Sequence, residues 1–272
     1  MKLDFIIVGV MKCGTTTLGS YLYEHPKVAV PDWEVGFFNN PGRFAKGYDY
    51  YENYVAKFAN AETKISGEKT PYSYEPNCAS EIHKYNPDIK LIWIFRNPTD
   101  RAWSNYTHDL WHMDEYRSFE NCLKTEESRD LLFQYISKGH YITQIKEYLQ
   151  YFDKSQMHFI VLEEFVKNKK PALLELFSFL GISGDGYDFD LKIHSKKSYQ
   201  PKYNPIYLHQ LKKVIGTQNR VWNWFWNLNF KDKSKQTMKA TTREQLEAHY
   251  LPFNIELGEF LGKDLSIWNT NN

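Results

Sequence analysis

Short apolar runs alternate along the first two thirds of the chain with longer segments of helical spacing. The runs predict β-strands at Leu3–Val10, Lys90–Phe95 and His158–Leu162, with a weaker one at Lys64–Gly67. Because strands that alternate with helices run parallel in one sheet, the pattern predicts an α/β fold. Leu3–Val10 is nearly continuous in apolar residues, as a strand buried on both faces should be, and we expect it at the centre of the sheet.

Helices are predicted between and after these strands. Their apolar residues recur at helical spacing over Thr15–Glu24, Asp100–Trp111, Ile142–Phe152 and Pro171–Leu180. The remaining third is predicted to be mostly helical, with a polar loop from Gly184 to Asn204. No internal repeat, low-complexity stretch or linker composition interrupts the sequence. We therefore expect one domain over residues 1–272, with a central parallel sheet flanked by helices.

Composition and charge exclude several classes of protein. The chain is 42% apolar and 25% charged, which is ordinary for a globular protein. Its 34 basic and 33 acidic side chains give a net charge of +1, which argues against a general nucleic-acid binder. No run approaches ~20 apolar residues, and the start does not fit a signal peptide, so no membrane association is predicted. Three cysteines without Cys-x-x-Cys spacing predict neither disulfides nor a zinc site and favour the cytoplasm.

The segment between the first strand and the first helix has the composition of an anion-binding loop. It contains two glycines, one lysine, one cysteine and three hydroxyl side chains, at Gly9, Lys12, Cys13, Gly14, Thr15, Thr16 and Thr17. Such a turn exposes backbone N–H groups beside a helix N-terminus. The spacing nearly fits GxxxxGK[ST], but Thr15 stands where that motif has lysine, and the lysine comes earlier, at Lys12. The loop suits a monophosphate with a reactive group beyond it; a tight turn without a ligand is the alternative.

This loop resembles the 5′-phosphosulfate loop of sulfotransferases that use 3′-phosphoadenylyl sulfate (PAPS). A second segment, Phe95–Tyr106, resembles the 3′-phosphate segment of that family, in which an arginine at a strand end and a serine one or two helical turns later hold the phosphate. Arg96 and Ser104 occupy those positions. A guanidinium fork and a hydroxyl donor in a fixed frame suit a dianionic phosphate. The resemblance implies PAPS as co-substrate and 3′,5′-ADP as its product.

Further segments resemble heparan-sulfate N- and 3-O-sulfotransferases and their bacterial relatives. They are Asp32–Asn39, Lys46–Tyr51, Gly67–Tyr72 and the stretch from Tyr250 to Trp268. The resemblance covers most of the chain, is weakest from about Gly184 to Ser234, and implies a P-loop-like sulfotransferase fold. Trp33 replaces a residue that is often basic in those relatives, and Gly36 stands where some have His or Gln. These departures weaken the implication of a sulfated polysaccharide acceptor.

The resemblance also implies roles in the transfer reaction. The acceptor must lose a proton, the moving SO₃ must be stabilised, and the leaving phosphate must be neutralised. Glu34 is the predicted general base, Lys12 the predicted contact to the bridging oxygen, and Lys69 a second cation at the sulfate. His108 lies four residues after Ser104 on the same helix face, and it is a candidate to assist proton transfer or orient the acceptor. Lysines supply the positive charge, so no metal is required. A solvated or surface ion-pair role is the alternative for Glu34, Lys69 and His108.

Two segments of the last third carry less specific expectations. One of Lys196 and Lys197, in the polar loop, is predicted to reach the 3′-phosphate together with Ser198 or Tyr199, with a solvated charged loop as the alternative. The stretch Arg220–Phe230 is rich in tryptophan, and Trp222 and Trp226 share a helical face. Core packing is the default interpretation of that face. The alternative is an aromatic wall for an organic or cationic acceptor.

The sequence therefore predicts a PAPS-dependent sulfotransferase that acts in line on a hydroxyl or amine. Near-neutral charge and 17% aromatic residues favour a small metabolite or small glycan over a heparan-like polymer, as in the tailoring of a natural product. A P-loop small-molecule kinase would need a lysine after the second glycine and Mg²⁺-binding carboxylates after a strand, and the chain shows neither at the expected place. A non-catalytic nucleotide-binding module is the other alternative. It predicts that Glu34 and Lys12 can be lost without consequence. The oligomeric state stays open.

Overall fold

A computed structural model describes residues 2–191, 193, 210, 214, 220–222, 224 and 237–268. These residues group into two compact units. The described residues of the first lie within Met1–Arg96, Tyr141–Ser195 and Glu256–Lys263, and those of the second lie within Asn97–His140, Lys196–Ile255 and Asp264–Asn272. The expectation of one domain over residues 1–272 stays a prediction.

The first unit contains a parallel β-sheet. Within the described residues its strands are β1 (Phe5–Gly9), β2 (Val28–Ala29), β3 (Ile65–Lys69), β4 (Lys90–Phe95) and β5 (Met157–Val161). Their order is β2-β3-β1-β4-β5. Phe5 pairs with Gly67 of β3 on one side and with Lys90 of β4 on the other. Strand β1 is thus central, as predicted, because every residue of its apolar sequence is buried.

The helices are numbered in chain order over the described residues. They are α1 (Thr15–Tyr23), α2 (Pro41–Phe44), α3 (Gly47–Ala56), α4 (Cys78–Tyr85), α5 (Pro98–His112), α6 (Phe119–Lys124), α7 (Tyr141–Tyr148), α8 (Leu162–Lys167), α9 (Lys169–Leu180) and α10 (Ala240–Leu261). Short 3₁₀ turns occur at Tyr72–Tyr74, Glu126–Ser128, Leu131–Phe133, Ser137–Gly139, Lys154–Gln156 and Ser266–Trp268. Helices α1 and α3 pack on β3, and α8 and α9 pack on β5. The predicted α/β class, with a parallel sheet flanked by helices, is confirmed.

Most predicted elements are present with shifted ends. The helix predicted from Asp100 begins at Pro98, because proline fits the first helical position and the Asn97 side chain accepts hydrogen bonds from Thr99 N (2.9 Å) and Asp100 N (3.3 Å). The helix predicted to reach Phe152 ends at Tyr148. Strand β2 was not predicted, since two residues are too few to show a period.

The predicted polar loop and tryptophan-rich stretch are described in part. Residues 184–191 form turns and irregular chain, and the remainder of the loop to Asn204, apart from residue 193, lies outside the described residues. Trp222 is helical and buried, which confirms core packing for that residue, whereas Trp224 is exposed. Trp226 and Phe230 lie outside the described residues.

The second unit has its own apolar core around α5. Ala102, Tyr106 and Leu110 lie one turn apart on α5 and pack with residues of α6 and α10, among them Cys122 and Tyr250. No described helix of either unit is both long enough and apolar enough to cross a membrane.

A buried polar network lies on an adjacent face of α5. Arg101 Nη1 donates to Asn105 Oδ1 at 3.2 Å, and Asn105 Nδ2 donates to Asp109 Oδ2 at 3.1 Å. The Tyr135 hydroxyl donates to the same carboxylate at 3.0 Å. A buried hydrogen-bonded network of this kind holds the turns of the helix that carry it in place. The network therefore fixes the face of α5 that carries Ser104 and His108.

Candidate active site

The predicted phosphate loop follows β1, and two of its residues have a left-handed backbone conformation. Lys12 has φ +66° and Gly14 has φ +96°. A Cβ on Gly14 would lie 3.1 Å from Leu162 Cδ1, so both the backbone angle and the close approach favour glycine there. For a lysine the same backbone region is uncommon and costs about 1–3 kcal/mol, a strain typical of functional turns.

Helix α1 begins at Thr15, directly after this turn. The N–H groups of its first turn have no partner inside the helix, and no side chain of the described residues caps its Gly14 start. These N–H groups and the positive end of the helix dipole form an anion site. A helix start of this kind can accept a phosphate group, and Lys12 is half-buried beside it.

Cys13 connects the loop to the end of β4. Its side chain is fully buried, and its Sγ lies 3.6 Å from the Tyr141 hydroxyl. The same hydroxyl donates to the backbone carbonyl of Arg96 at 2.8 Å. Tyr141 thus holds the loop against the residue that follows β4. Because the thiol faces the interior, Cys13 can serve a bound anion only through its backbone.

Lys69, the last residue of β3, crosses helix α1 at Gly19. A Cβ on Gly19 would lie 2.3 Å from Lys69 Cδ and 3.2 Å from its Nζ, so only glycine leaves room for this side chain. Lys69 is 1% exposed, and its Nζ lies 3.4 Å from Asp32 Oδ1. Ser20 Oγ donates to the same carboxylate oxygen at 3.2 Å. A buried cation is thereby held against the helix that begins at the phosphate loop.

Glu34 is exposed in the segment between β2 and α2, and that segment is fixed on both sides of it. Asp32, two residues before, makes the contacts to Lys69 and Ser20. After it, Gly36 N donates to Thr70 Oγ1 at 2.9 Å. The first unit thus brings together helix α1, Lys69 and the segment of Glu34.

A buried carboxylate that the sequence prediction missed supports this segment. Glu68 is 0% exposed and accepts 2.7 Å hydrogen bonds from the hydroxyls of Tyr51, Tyr72 and Thr70. Tyr72 in turn accepts from Phe37 N at 2.7 Å. Burial raises the pKa of Glu68, the three hydroxyl donors oppose that rise, and the negative charge of Glu34 adds to it.

The sequence does contain a signal for Glu68. It is an acidic residue inside an otherwise buried strand, followed by Thr70 and Tyr72, which can donate to it. Burial of a carboxylate requires such partners. The pattern indicates a positioning role rather than a contact with substrate.

The remaining predicted site residues fall in different parts of the chain. Arg96 is half-buried directly after β4, in the first unit. Ser104 and His108 are half-buried on α5, in the second unit. Their predicted joint roles remain predictions from the sequence. Lys196 and Lys197 lie outside the described residues.

His108 and His112 form a pair of neighbouring histidines on α5. Its ring centroid lies 4.1 Å from that of His112, and its Nδ1 lies 3.4 Å from Asp109 Oδ1. His112 Nδ1 lies 2.9 Å from the His108 carbonyl oxygen. Among the described residues no group of three or more His, Cys, Asp or Glu side chains is arranged to hold a metal ion.

Comparison with known proteins identifies similar sequences and folds. The family model "Sulfotransferase domain" matches residues 2–261. Bifunctional heparan sulfate N-deacetylase/N-sulfotransferase 1 of Caenorhabditis briggsae is 27% identical over 96% of this chain, which spans only 30% of that relative. Heparan sulfate glucosamine 3-O-sulfotransferase 5 of Mus musculus is 28% identical over 96% of this chain and 72% of its own length.

A solved structure is also similar over its whole length. The sulfotransferase from Alicyclobacillus acidocaldarius is 26% identical in sequence and superimposes with a TM-score of 0.73. The alignment covers 99% of this chain and 100% of that one. The resemblance inferred from sequence motifs is thus confirmed, as is the P-loop-like fold that it implied.

Proposed function

The chain belongs to the sulfotransferase domain family, whose members are transferase enzymes, and on that premise we propose that it transfers the sulfuryl group of PAPS to a hydroxyl or amine of a small acceptor. The observation that carries this proposal is the buried Lys69 laid across Gly19 of α1, the helix that begins at the phosphate loop. A cation at that place suits a sulfated phosphate bound at the helix N-terminus.

The residues of the loop fit a phosphosulfate. The first-turn N–H groups of α1, with the hydroxyls of Thr15, Thr16 and Thr17, would hold the 5′-phosphate through its oxygen atoms. Lys12 would lie beside the oxygen that joins phosphorus to sulfur. Arg96 and Ser104 are proposed to hold the 3′-phosphate, on the basis of their positions in the sequence motif.

The proposed reaction is a single in-line displacement. Glu34 accepts the proton of the acceptor group as the new bond from acceptor to sulfur forms. The bond between sulfur and the phosphate oxygen breaks on the opposite side, and the electron pair stays with the phosphate. Lys12 offsets the charge that develops on that oxygen, while Lys69 stabilises the SO₃ group in transit. His108 is a second candidate for moving the proton.

The proposed acceptor is a small metabolite or small glycan, as in the tailoring of a natural product. The net charge of +1 gives no long-range attraction for a polyanion. We also propose the cytoplasm as its location, which the free thiols of Cys13, Cys78 and Cys122 support, since an oxidising compartment favours disulfides.

Nucleotide binding tests this function directly. Titration calorimetry with 3′,5′-ADP and with ATP–Mg²⁺ should show binding of the first and indifference to the second. Transfer of labelled sulfate from PAPS to a panel of alcohols and amines then tests the reaction. Preference for ATP–Mg²⁺ would instead favour a kinase. Binding of 3′,5′-ADP without any release of sulfate from PAPS would favour a non-catalytic module.

A further inference from the structure

Helix α3 carries an aromatic strip on one face that the proposed chemistry does not use. Tyr50 and Tyr54, four residues apart, share a face of α3, and Phe58 continues the strip from the turn directly after the helix. The rings of Tyr50 and Tyr54 stack with centroids 6.2 Å apart, and those of Tyr54 and Phe58 lie 6.3 Å apart. Three rings at these separations offer enough length for more than one ring of a ligand.

Trp33 extends this strip to the residue directly before Glu34. Its Nε1 donates to the Tyr54 hydroxyl at 2.7 Å, and its ring meets Phe58 edge to face with centroids 5.2 Å apart. Although both contacts fix the indole, it is 51% exposed. An apolar ring held in one orientation with half of its surface open is suited to stack a ligand, because little side-chain freedom is lost on binding.

The charges around the strip decide between classes of ligand. Lys46 Nζ lies 4.5 Å from the centre of the Tyr50 ring, and Lys57 Nζ lies 5.7 Å from that of Tyr54. These ammonium groups would repel a cationic ligand along α3. At the other end, Glu34 is exposed and its negative charge would repel an anionic one, whereas the carboxylate of Asp32 faces Lys69. An uncharged ring meets neither penalty.

We propose that Trp33, Tyr54 and Tyr50 form an acceptor subsite that stacks uncharged, unsulfated sugar rings. The apolar face of a sugar ring lies flat on an aromatic side chain, and its hydroxyls remain free at the edge. A ring on Trp33 presents a hydroxyl near Glu34, and further rings continue along Tyr54 and Tyr50. This inference rests on the proposed function, because the strip can be an acceptor site only if the protein transfers a sulfuryl group to an acceptor.

The experiment uses the full chain with PAPS and 4-nitrophenyl β-glycosides of one, two and three glucose units. KM should fall as rings are added. Trp33→Ala should raise KM for all three glycosides roughly tenfold with little change in kcat. Tyr50→Ala should raise KM for the two- and three-ring glycosides but not for the single ring. Tyr151→Ala, which removes another exposed tyrosine, serves as the matched control.

Several outcomes would overturn the subsite. The first group concerns the acceptor: transfer only to 2-naphthol, transfer only to an N-sulfated heparosan hexasaccharide, or transfer to none of the glycosides. The other is a KM for the glycosides that Trp33→Ala leaves unchanged. Two measurements without acceptor keep the proposed function separate, namely affinity for 3′,5′-ADP and slow release of sulfate from PAPS. If both are present in the wild-type protein and the glycosides fail, the subsite alone is wrong. If both are absent, the proposed function is wrong and the subsite fails with it.

Discussion

The hydroxyl of Tyr72 donates to the buried carboxylate of Glu68 at 2.7 Å and accepts from the backbone N–H of Phe37 at the same distance. One phenol therefore connects the end of strand β3 to the segment that carries Glu34. Thr70 makes the equivalent connection to Gly36. Through the hydroxyls of Thr70 and Tyr72, the buried carboxylate of Glu68 positions the segment that carries the exposed carboxylate of Glu34.

Thr70→Val tests this connection, because it keeps the shape of threonine and removes the hydroxyl. It leaves Gly36 N and one oxygen of Glu68 without this partner, which should lower the free energy of unfolding by about 1–3 kcal/mol. Turnover should fall while affinity for 3′,5′-ADP stays normal. Thr70→Ser, which keeps the hydroxyl, is the matched control in urea denaturation and transfer assays. Equal behaviour of the two variants would contradict the role.

Glu34→Gln should lower single-turnover sulfate transfer by roughly 10²–10⁴-fold, since the amide keeps the shape but cannot take a proton. Nucleotide affinity should be nearly unchanged, because the proposed role of Glu34 is on the acceptor side. His108→Ala is the competing variant, and a larger loss there, with an imidazole limb in the pH–rate profile, would make the histidine the base. Near-normal sulfate transfer by the Glu34→Gln variant would show that Glu34 is not the general base.

Gly19→Ala should displace Lys69, since the new Cβ would lie 2.3 Å from Lys69 Cδ. Alanine is the better helix former by about 1 kcal/mol, so the variant should stay folded. Transfer should nevertheless fall, by up to roughly 10²–10³-fold, if Lys69 stabilises the moving SO₃ group. Gly42→Ala is the control, because the nearest atom there is 3.4 Å away. Full activity in Gly19→Ala would remove Lys69 from the mechanism.

Arg96→Ala should weaken binding of 3′,5′-ADP by about 1.5–3 kcal/mol, the loss of one charge-assisted contact to the 3′-phosphate. Calorimetry with adenosine 5′-phosphate, which lacks that phosphate, provides the control, because the variant should bind it as the wild-type protein does. An unchanged affinity for 3′,5′-ADP in a folded variant would place the 3′-phosphate elsewhere.

Stability should fall in acid partly through His158 of β5. Burial, with a smaller contribution from the charge of Lys263, lowers the pKa of His158 to about 4, below its ordinary 6.5. The unfolded chain therefore takes up this proton first, and the stabilisation is lost as the pH falls from 6.5 toward 4. Urea denaturation of His158→Gln should show a smaller pH dependence over that window. An unchanged dependence would show that other groups cause the loss.

Local patterns in the sequence were enough for much of the fold and for the turn between β1 and α1. The apolar run at Leu3–Val10 placed the central strand, because a strand covered on both faces has no polar positions. The loop was recognisable because a turn from strand to helix at Gly14 needs left-handed backbone. Both depend on neighbours in the sequence.

Contacts between distant elements were decided only by the tertiary structure. Tyr51 and Tyr72 meet at Glu68, and Trp33 meets Tyr54 twenty-one residues along the chain. The short strand β2 exists because β3 offers it an edge. Sequence periodicity tells which residues are buried, but the order and register of the strands determine which buried residues meet. For that reason Lys69 could be named from the sequence, while its path across Gly19 could not.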